Sequence, residues 1–341
     1  MNRLVLLLLL VSVCSNADDA PLFASDEPLE IVFEFPLDVI LKQADKRPVV
    51  EGHASYTDTA GDQVSISIKM TSRGRSRLEY CRFPPLSVTF NKRESKGTIF
   101  EGQKKKLKIV THCRATAAHR KYLLQEQTIY EAFNVLTDIS FRTRYMSVTY
   151  RNSNNPDHTI NESAFLIENI AEVADRNQLK RKKVGKIPES QLDPAYTTLS
   201  ALFQFLIGNT DWSVIAGPDK NDCCHNSKPL SPRKADTGWL VVHYDFDQAG
   251  LINTRYAVVA NPLPIKTVRQ RLFRGRCIHS GQIEPAIAIF NESRQQLEMA
   301  LMPGGSSDHK STSAYIDDFY RIISDPKQRE RYLNKPCVGR K

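Results

Sequence analysis

Apolar and polar residues alternate over Leu29 to Phe35, Val49 to Tyr56 and Val64 to Thr71. A period of two puts one face of a β-strand into a core. Thr59-Ala60-Gly61-Asp62 separates the last two runs and reads as a turn. Leu86 to Phe90 and Leu107 to Thr111 are shorter β-prone runs, so this part of the chain predicts an antiparallel sheet. The period then changes. Between Arg120 and Leu136, residues Leu123, Leu124, Ile129, Phe133 and Leu136 recur at helical spacing and predict an amphipathic helix. Phe141 to Tyr150 returns to a strand pattern.

Beyond it, Asn152 to Asp157 reads as a loop, Ala164 to Asn177 as a helix, and the basic stretch Gln178 to Gln191 as an exposed connection. Pro194 to Gly208 predicts an apolar helix, with proline in its first turn and glycine at its end. A strand closing at Tyr244 follows. Helices are expected over Lys266 to Phe273, Pro285 to Met302 and Ala314 to Ile323, with a loop at Gly304 to Ser307. The pattern predicts an α+β protein: a β-rich N-lobe with one helix (29–151), then a mostly helical C-lobe (152–341). A ligand cleft is expected between them.

The 341 residues carry a formal charge of +9. The basic clusters at Lys104 to Lys108 and Lys180 to Lys183 are not interleaved with aromatics. They read as solvated loops rather than a nucleic-acid surface. Met1-Asn2-Arg3, the apolar run Leu4 to Val13 and the small residues Ser15 and Ala17 read as a secretory signal over 1–17, with a mobile leader over 18–28. No later segment has the ~18 apolar residues of a transmembrane span. The expectation is an exported chain, periplasmic or extracellular. Cleavage would remove Cys14 and leave six cysteines, a number that suits disulfides. Cys81–Cys113 and Cys277–Cys337 are the favoured pairs; the adjacent Cys223 and Cys224 remain unassigned.

The candidate chemistry centres on Gly238 to Gly250, where a β-prone run ends in Asp245 and Asp247 before a glycine turn. Carboxylates two apart at a strand end converge on one cation, and hard oxygen ligands suit Mg²⁺ or Mn²⁺. Upstream stand Asp211, after the apolar helix, and Asn226. An Asp, an Asn and a strand ending in Asp follow the order of kinase-type phosphotransfer sites. Asp211 would orient or deprotonate an acceptor hydroxyl. Asn226 would bind metal or position Asp211. Lys108, on a strand, would meet nucleotide phosphates and be held by Glu126 on the following helix; Lys106 and Glu131 compete for these roles. Arg73, Arg75 and Arg77 alternate as an anion-binding row.

Thr71 to Arg77 together with Phe83 to Phe90 resembles the Arg-Gly-x-Ser segment and following strand of the spore-coat-protein-H (CotH) secreted atypical kinases. Lys106 to Val110 and the Glu126 helix are similar in order to that family's lysine strand and helix. Asn209 to Asp211, His225-Asn226 and Trp239 to Asp247 resemble its catalytic and metal-binding half. The likeness covers roughly residues 60 to 250, and similarity to HipA-type kinases is weaker. It implies an atypical protein-kinase-like fold that binds ATP or another nucleotide with Mg²⁺ or Mn²⁺. It also implies transfer of a phosphoryl or nucleotidyl group to a protein or glycan of the envelope, or to a secreted target. The chain departs from the ordinary kinase pattern in two ways. It lacks a Gly-rich phosphate loop, and Asn226 stands fifteen positions after Asp211 rather than five. Two other readings stand beside this one. The first is a catalytically inactive envelope scaffold that binds a protein or an anionic glycan. The second is a zinc module built from His112, Cys113, Cys223, Cys224, His225 and His243.

Overall fold

The structure, a computed structural model, is described over residues 21–103, 105–218, 222–260, 262–305 and 309–339. The expected signal at 1–17 lies outside the described residues, as do the first residues of the expected leader, Lys104 of the first basic cluster, and Ser306 and Ser307 of the expected loop. The described part of the leader is not loose. Pro21–Phe23 forms a single 3₁₀ turn that buries Leu22 and Phe23.

The β-rich part is a closed seven-stranded barrel: β1 (Leu29–Phe35), β2 (Val50–Thr57), β3 (Gln63–Ser72), β4 (Leu86–Phe90), β5 (Leu107–Thr111), β6 (Thr143–Asn152) and β7 (Asn155–Ile167). The order around it is β1-β2-β3-β4-β5-β7-β6. Neighbours run antiparallel except at the seam, where β1 pairs parallel to β6 from Leu29↔Met146 to Phe35↔Asn152. Phe33, Phe35, Ile66, Met70, Val88 and Leu166 are among the side chains that fill the barrel.

This barrel overturns the expected kinase-like division into a sheet lobe and a helical lobe. Two features cause the difference. The stretch 155–167, read as a loop and the start of a helix, is a long strand that completes a hairpin with β6. Ala164-Phe165-Leu166-Ile167 is a short apolar run, for which helix and strand cannot be told apart by period. The β6–β7 hairpin then supplies the edge on which β1 closes the sheet. The hairpin also carries the barrel past residue 151, to Ile167.

The helices are α1 (Leu37–Lys42), α2 (Ser76–Tyr80), α3 (Ala117–Leu136), α4 (Ile170–Arg176), α5 (Pro194–Ile207), α6 (Ile283–Glu292), α7 (Arg294–Leu301), α8 (Lys310–Ser324) and α9 (Pro326–Arg329). The expected helix at 266–273 does not form. Arg271 in that segment donates to the carbonyls of Phe205, Leu206 and Tyr315, so side-chain bonds to other segments hold its course. The expected helix at 285–302 is two helices, divided at Ser293. The exposed connection contains β8 (Leu179–Arg181), which joins β9 (Ser227–Pro232) and β10 (Leu240–His243) in a second sheet of order β10-β9-β8.

Strand alternation links the two cores. On β7, Ala164 and Leu166 enter the barrel, while Phe165 and Ile167 face outward to α3 and the rest of the second core. Tyr130 of α3 meets Phe165 at 5.8 Å, and Phe133 meets Phe203 of α5 at 4.6 Å. α5 is buried on all sides and lies within this core. Asp193 caps its start by accepting from the Tyr196 N–H at 2.7 Å, and Gly208 ends it in the left-handed region at φ 64°. Cys81–Cys113 ties the end of α2 to the segment after β5, and Cys277–Cys337 closes the C-terminal region. The third bridge joins the neighbours Cys223 and Cys224. Among the described residues, no helix is long and apolar enough to cross a membrane.

Gly208 sets the exit of α5. Its φ excludes most side chains, and a Cβ there would stand 1.9 Å from the Tyr315 hydroxyl. Gly208→Ala is therefore expected to lower unfolding free energy by at least ~1 kcal/mol, measured by chemical denaturation.

Candidate functional site

A cavity of about 390 Å³ opens where the rim of the barrel meets the loops after α5 and β10. One wall is cationic and comes mainly from the barrel. Arg73 follows β3; its N–H donates to Pro85 O, and its guanidinium donates to Leu86 O (3.0 Å) and Ile109 O (3.3 Å). The chain then turns at Gly74, whose carbonyl accepts from Arg47 at 2.6 Å. Lys108 lies on β5 between Leu107 and Ile109, which enter the barrel. Alternation sends Lys108 outward to the cavity, with its Nζ 3.6 Å from the centroid of the Tyr244 ring. Burial, then the charges of Arg73 and Lys228, push the Lys108 ammonium down to about 7, against the pull of Asp245. Burial also lowers Arg73.

The facing wall is acidic. After Gly208, the Asn209 side chain accepts from the Asp211 N–H at 3.0 Å, and Arg274 donates to Trp212 O at 2.7 Å. These bonds present Asp211 to the cavity. Its Oδ1 meets His225 Nε2 at 2.6 Å; its Oδ2 and main-chain oxygen accept from Asn226 Nδ2 at 2.9 and 2.8 Å. The bond to Asp211 raises the His225 pKa. Asn226 and Asp245 both hold left-handed backbones, at φ 47° and 66°. Such conformations concentrate at functional sites. Asp245 is fixed by its N–H donating to the Tyr130 hydroxyl at 2.8 Å, which ties it to α3.

The sequence-selected residues meet here in large part. Arg73, Lys108, Asp211, Asn226, Asp245 and Asp247 all line the cavity. The geometry that brings them together differs from expectation in three places. β10 ends at His243, so simple strand alternation does not aim Asp245 and Asp247; the left-handed turn at Asp245 does. Asp247 is buried, and its carboxyl pKa is raised by burial and then by Asp245. Glu126 does not hold Lys108. It is buried beneath the site and pairs with Arg77 at 3.7 Å, its own pKa raised by burial. Of the competing residues, Lys106 is exposed and Glu131 lines a different cavity, with Asp26.

Sequence reasoning passed over Arg47 and Lys228, which also line the cavity. Arg47 has no motif around it, and only the fold delivers it; Lys228 stands two positions after Asn226, outside the motif itself. His225 was visible as a neighbour of Asn226, but its bond to Asp211 was not.

The donors present fit one kind of metal site. Among the described residues, no group of three or more His, Cys, Asp or Glu side chains is placed to hold an ion. Mg²⁺ at phosphates needs no such cage; one or two carboxylates, phosphate oxygens and waters suffice. Asp245 and Asp247 are the residues that would hold such an ion. The zinc module does not fit. The six described cysteines are bridged, and His243 is buried against Ser227, with its pKa pushed down by burial to about 3.

No protein-family model matches this chain, and none of the curated proteins does.

The low Lys108 pKa would make anion binding at this cavity pH-dependent. A lysine whose pKa is depressed to about 7 keeps its charge below that pH and loses it above. Affinity for tripolyphosphate, measured calorimetrically, is expected to fall as pH rises through 7, and Lys108→Met is expected to weaken that dependence, with Asp247, raised to about 7, supplying the remainder.

Proposed function

We propose that the cavity binds a nucleotide polyphosphate with Mg²⁺ or Mn²⁺ and transfers its terminal phosphoryl group, or a nucleotidyl group, to a hydroxyl of an envelope or secreted target. The observation that carries this reading is a single cavity lined by basic side chains of the barrel side (Arg47, Arg73, Lys108) and by carboxylates of the loops after α5 and β10 (Asp211, Asp245, Asp247), with Lys228 of β9 beside the latter. Phosphates need the first, and a divalent cation and an acceptor hydroxyl need the second.

Lys108 and Arg73 would meet phosphate oxygens. Asp245 and Asp247 would hold the cation, which neutralises charge on the phosphates. Asp211 would take the acceptor's proton as the new P–O bond forms and the bond to the departing nucleotide oxygen breaks. His225 and Asn226 hold Asp211 in place for that step. The motif order that resembles the CotH-type kinases supports the chemistry, although the frame that carries it is a barrel rather than two lobes. Three disulfides suit a periplasmic or extracellular setting.

One observation favours a second reading. Arg73 and Arg77 already bond to carbonyls at the barrel rim, so their guanidiniums serve the frame as well as any ligand. In that reading the cavity holds an anionic glycan or protein segment without turnover.

Thermal shift and nucleotide turnover separate the two. With Mn²⁺ and ATP, the wild type is expected to melt higher, and Asp245→Ala to lose the shift. Asp211→Asn is expected to keep the shift but lose about 10²- to 10⁴-fold in turnover, the usual contribution of a positioned base. Equal turnover in all three proteins, or no metal-dependent shift in the folded wild type, contradicts phosphoryl transfer.

A further inference from the structure

The bridge between Cys223 and Cys224 stands directly before the two residues that grip Asp211. Its setting is well defined. Cys223 is buried, with its N–H donating to Val184 O at 2.7 Å. Cys224 lines the cavity, the only one of the six described cysteines to do so. Segments 213–217 and 222–226 lie back to back. Ser213 N–H donates to His225 O at 3.0 Å, and His225 N–H donates to Ala216 O at 3.3 Å. Gly217 permits this approach, since a Cβ there would stand 2.0 Å from Asp222 O. The covalent ring thus ends one peptide away from His225 and two from Asn226, whose side chains occupy both carboxylate oxygens of Asp211.

We propose that Cys223–Cys224 is a reversible redox-modification site whose reduction by a dithiol loosens the grip on Asp211. Cys224 is buried but borders the cavity, so a small thiolate would approach its Sγ from that side. Attack there breaks the Cys223–Cys224 bond, forms a mixed disulfide on Cys224, and releases Cys223 as a thiolate that takes up a proton. The second thiol of the reagent then attacks its own sulfur in the mixed disulfide. It frees Cys224 as a thiol and leaves the reagent as a disulfide. Two electrons and two protons pass from the dithiol to the protein. With the ring open, the chain from Cys223 to Asn226 is no longer cross-linked at its start, and the two-sided clamp on Asp211 relaxes. The consequence for turnover rests on the phosphotransfer reading; the change in the clamp does not.

The test keeps these apart. The oxidised protein is treated with dithiothreitol and alkylated, and modified cysteines are located by mass spectrometry. Amide hydrogen exchange is then followed at Ser213 and His225, and turnover of Mn²⁺ and ATP is measured in parallel. Reduction of the pair is expected to speed exchange at both amides by at least tenfold and to lower turnover by at least tenfold. Cys223→Ser/Cys224→Ser is expected to match the reduced protein and ignore the reagent, whereas Cys277→Ser/Cys337→Ser keeps the full response. Unchanged exchange at Ser213 and His225 in protein alkylated at both Cys223 and Cys224 overturns the proposal, as does a response that disappears with Cys277 and Cys337. Absence of nucleotide turnover in every form removes the phosphotransfer reading and leaves the amide result to decide the switch. If the double serine variant does not fold, the alkylated wild type decides alone.

Discussion

The carboxylate of Asp245 acts on Arg73, Arg77, Lys108 and His225 together. The first three are cations that the barrel rim crowds into one region with little water. Burial disfavours charge on all three; repulsion adds to it at Arg73 and at Lys108, whose pKa is brought down to about 7, whereas Arg77, surrounded by Tyr256, Glu126 and Asp247, is raised. Asp245 opposes both effects from the other wall. Its position in turn depends on the hydroxyl of Tyr130, which accepts its N–H, and so on the packing of α3 against β7. The charge pattern of the site and the joining of the two cores are thus one arrangement.

Beneath the cavity, a second group of charges carries the same strain. Glu126 and Arg77 are both buried and paired at 3.7 Å, with Asp247 near enough to act on each. One carboxylate oxygen of Glu126 and the Arg77 Nε have no hydrogen-bond partner. A buried ion pair of this kind contributes little to stability by itself, because desolvation offsets attraction. Its effect is positional: it anchors α2 to α3 and so keeps the Arg73–Arg77 turn at the mouth of the cavity.

The strands with strict alternation were legible in the sequence, as were α3 and α5, because amphipathic period, the Pro194 start and the Gly208 stop are local signals. The barrel was not. Its closure depends on β1 meeting β6 across more than a hundred residues, and on reading Ala164 to Ile167 as strand. No local period encodes either fact. The site shows the same division. Asp211, Asn226, Asp245 and Lys108 lie in motifs visible in the sequence, and the fold brings them to one cavity. Arg47 and Lys228 reach the cavity only through tertiary packing. The Lys108–Glu126 pair failed for a similar reason: strand lysine and helix glutamate are in suitable order, but Arg77, arriving from α2, takes the glutamate first.

On the proposed function, the two sides of the cavity share a phosphate chain and a divalent cation. A crystal structure of the oxidised protein with Mn²⁺ and a non-hydrolysable ATP analogue tests it most directly, because manganese is located by its anomalous scattering. The account predicts a manganese peak bonded to an Asp245 oxygen and to phosphate oxygens, with Lys108 and Arg73 against the same phosphates. Manganese or nucleotide bound elsewhere, with this cavity holding neither, would contradict it.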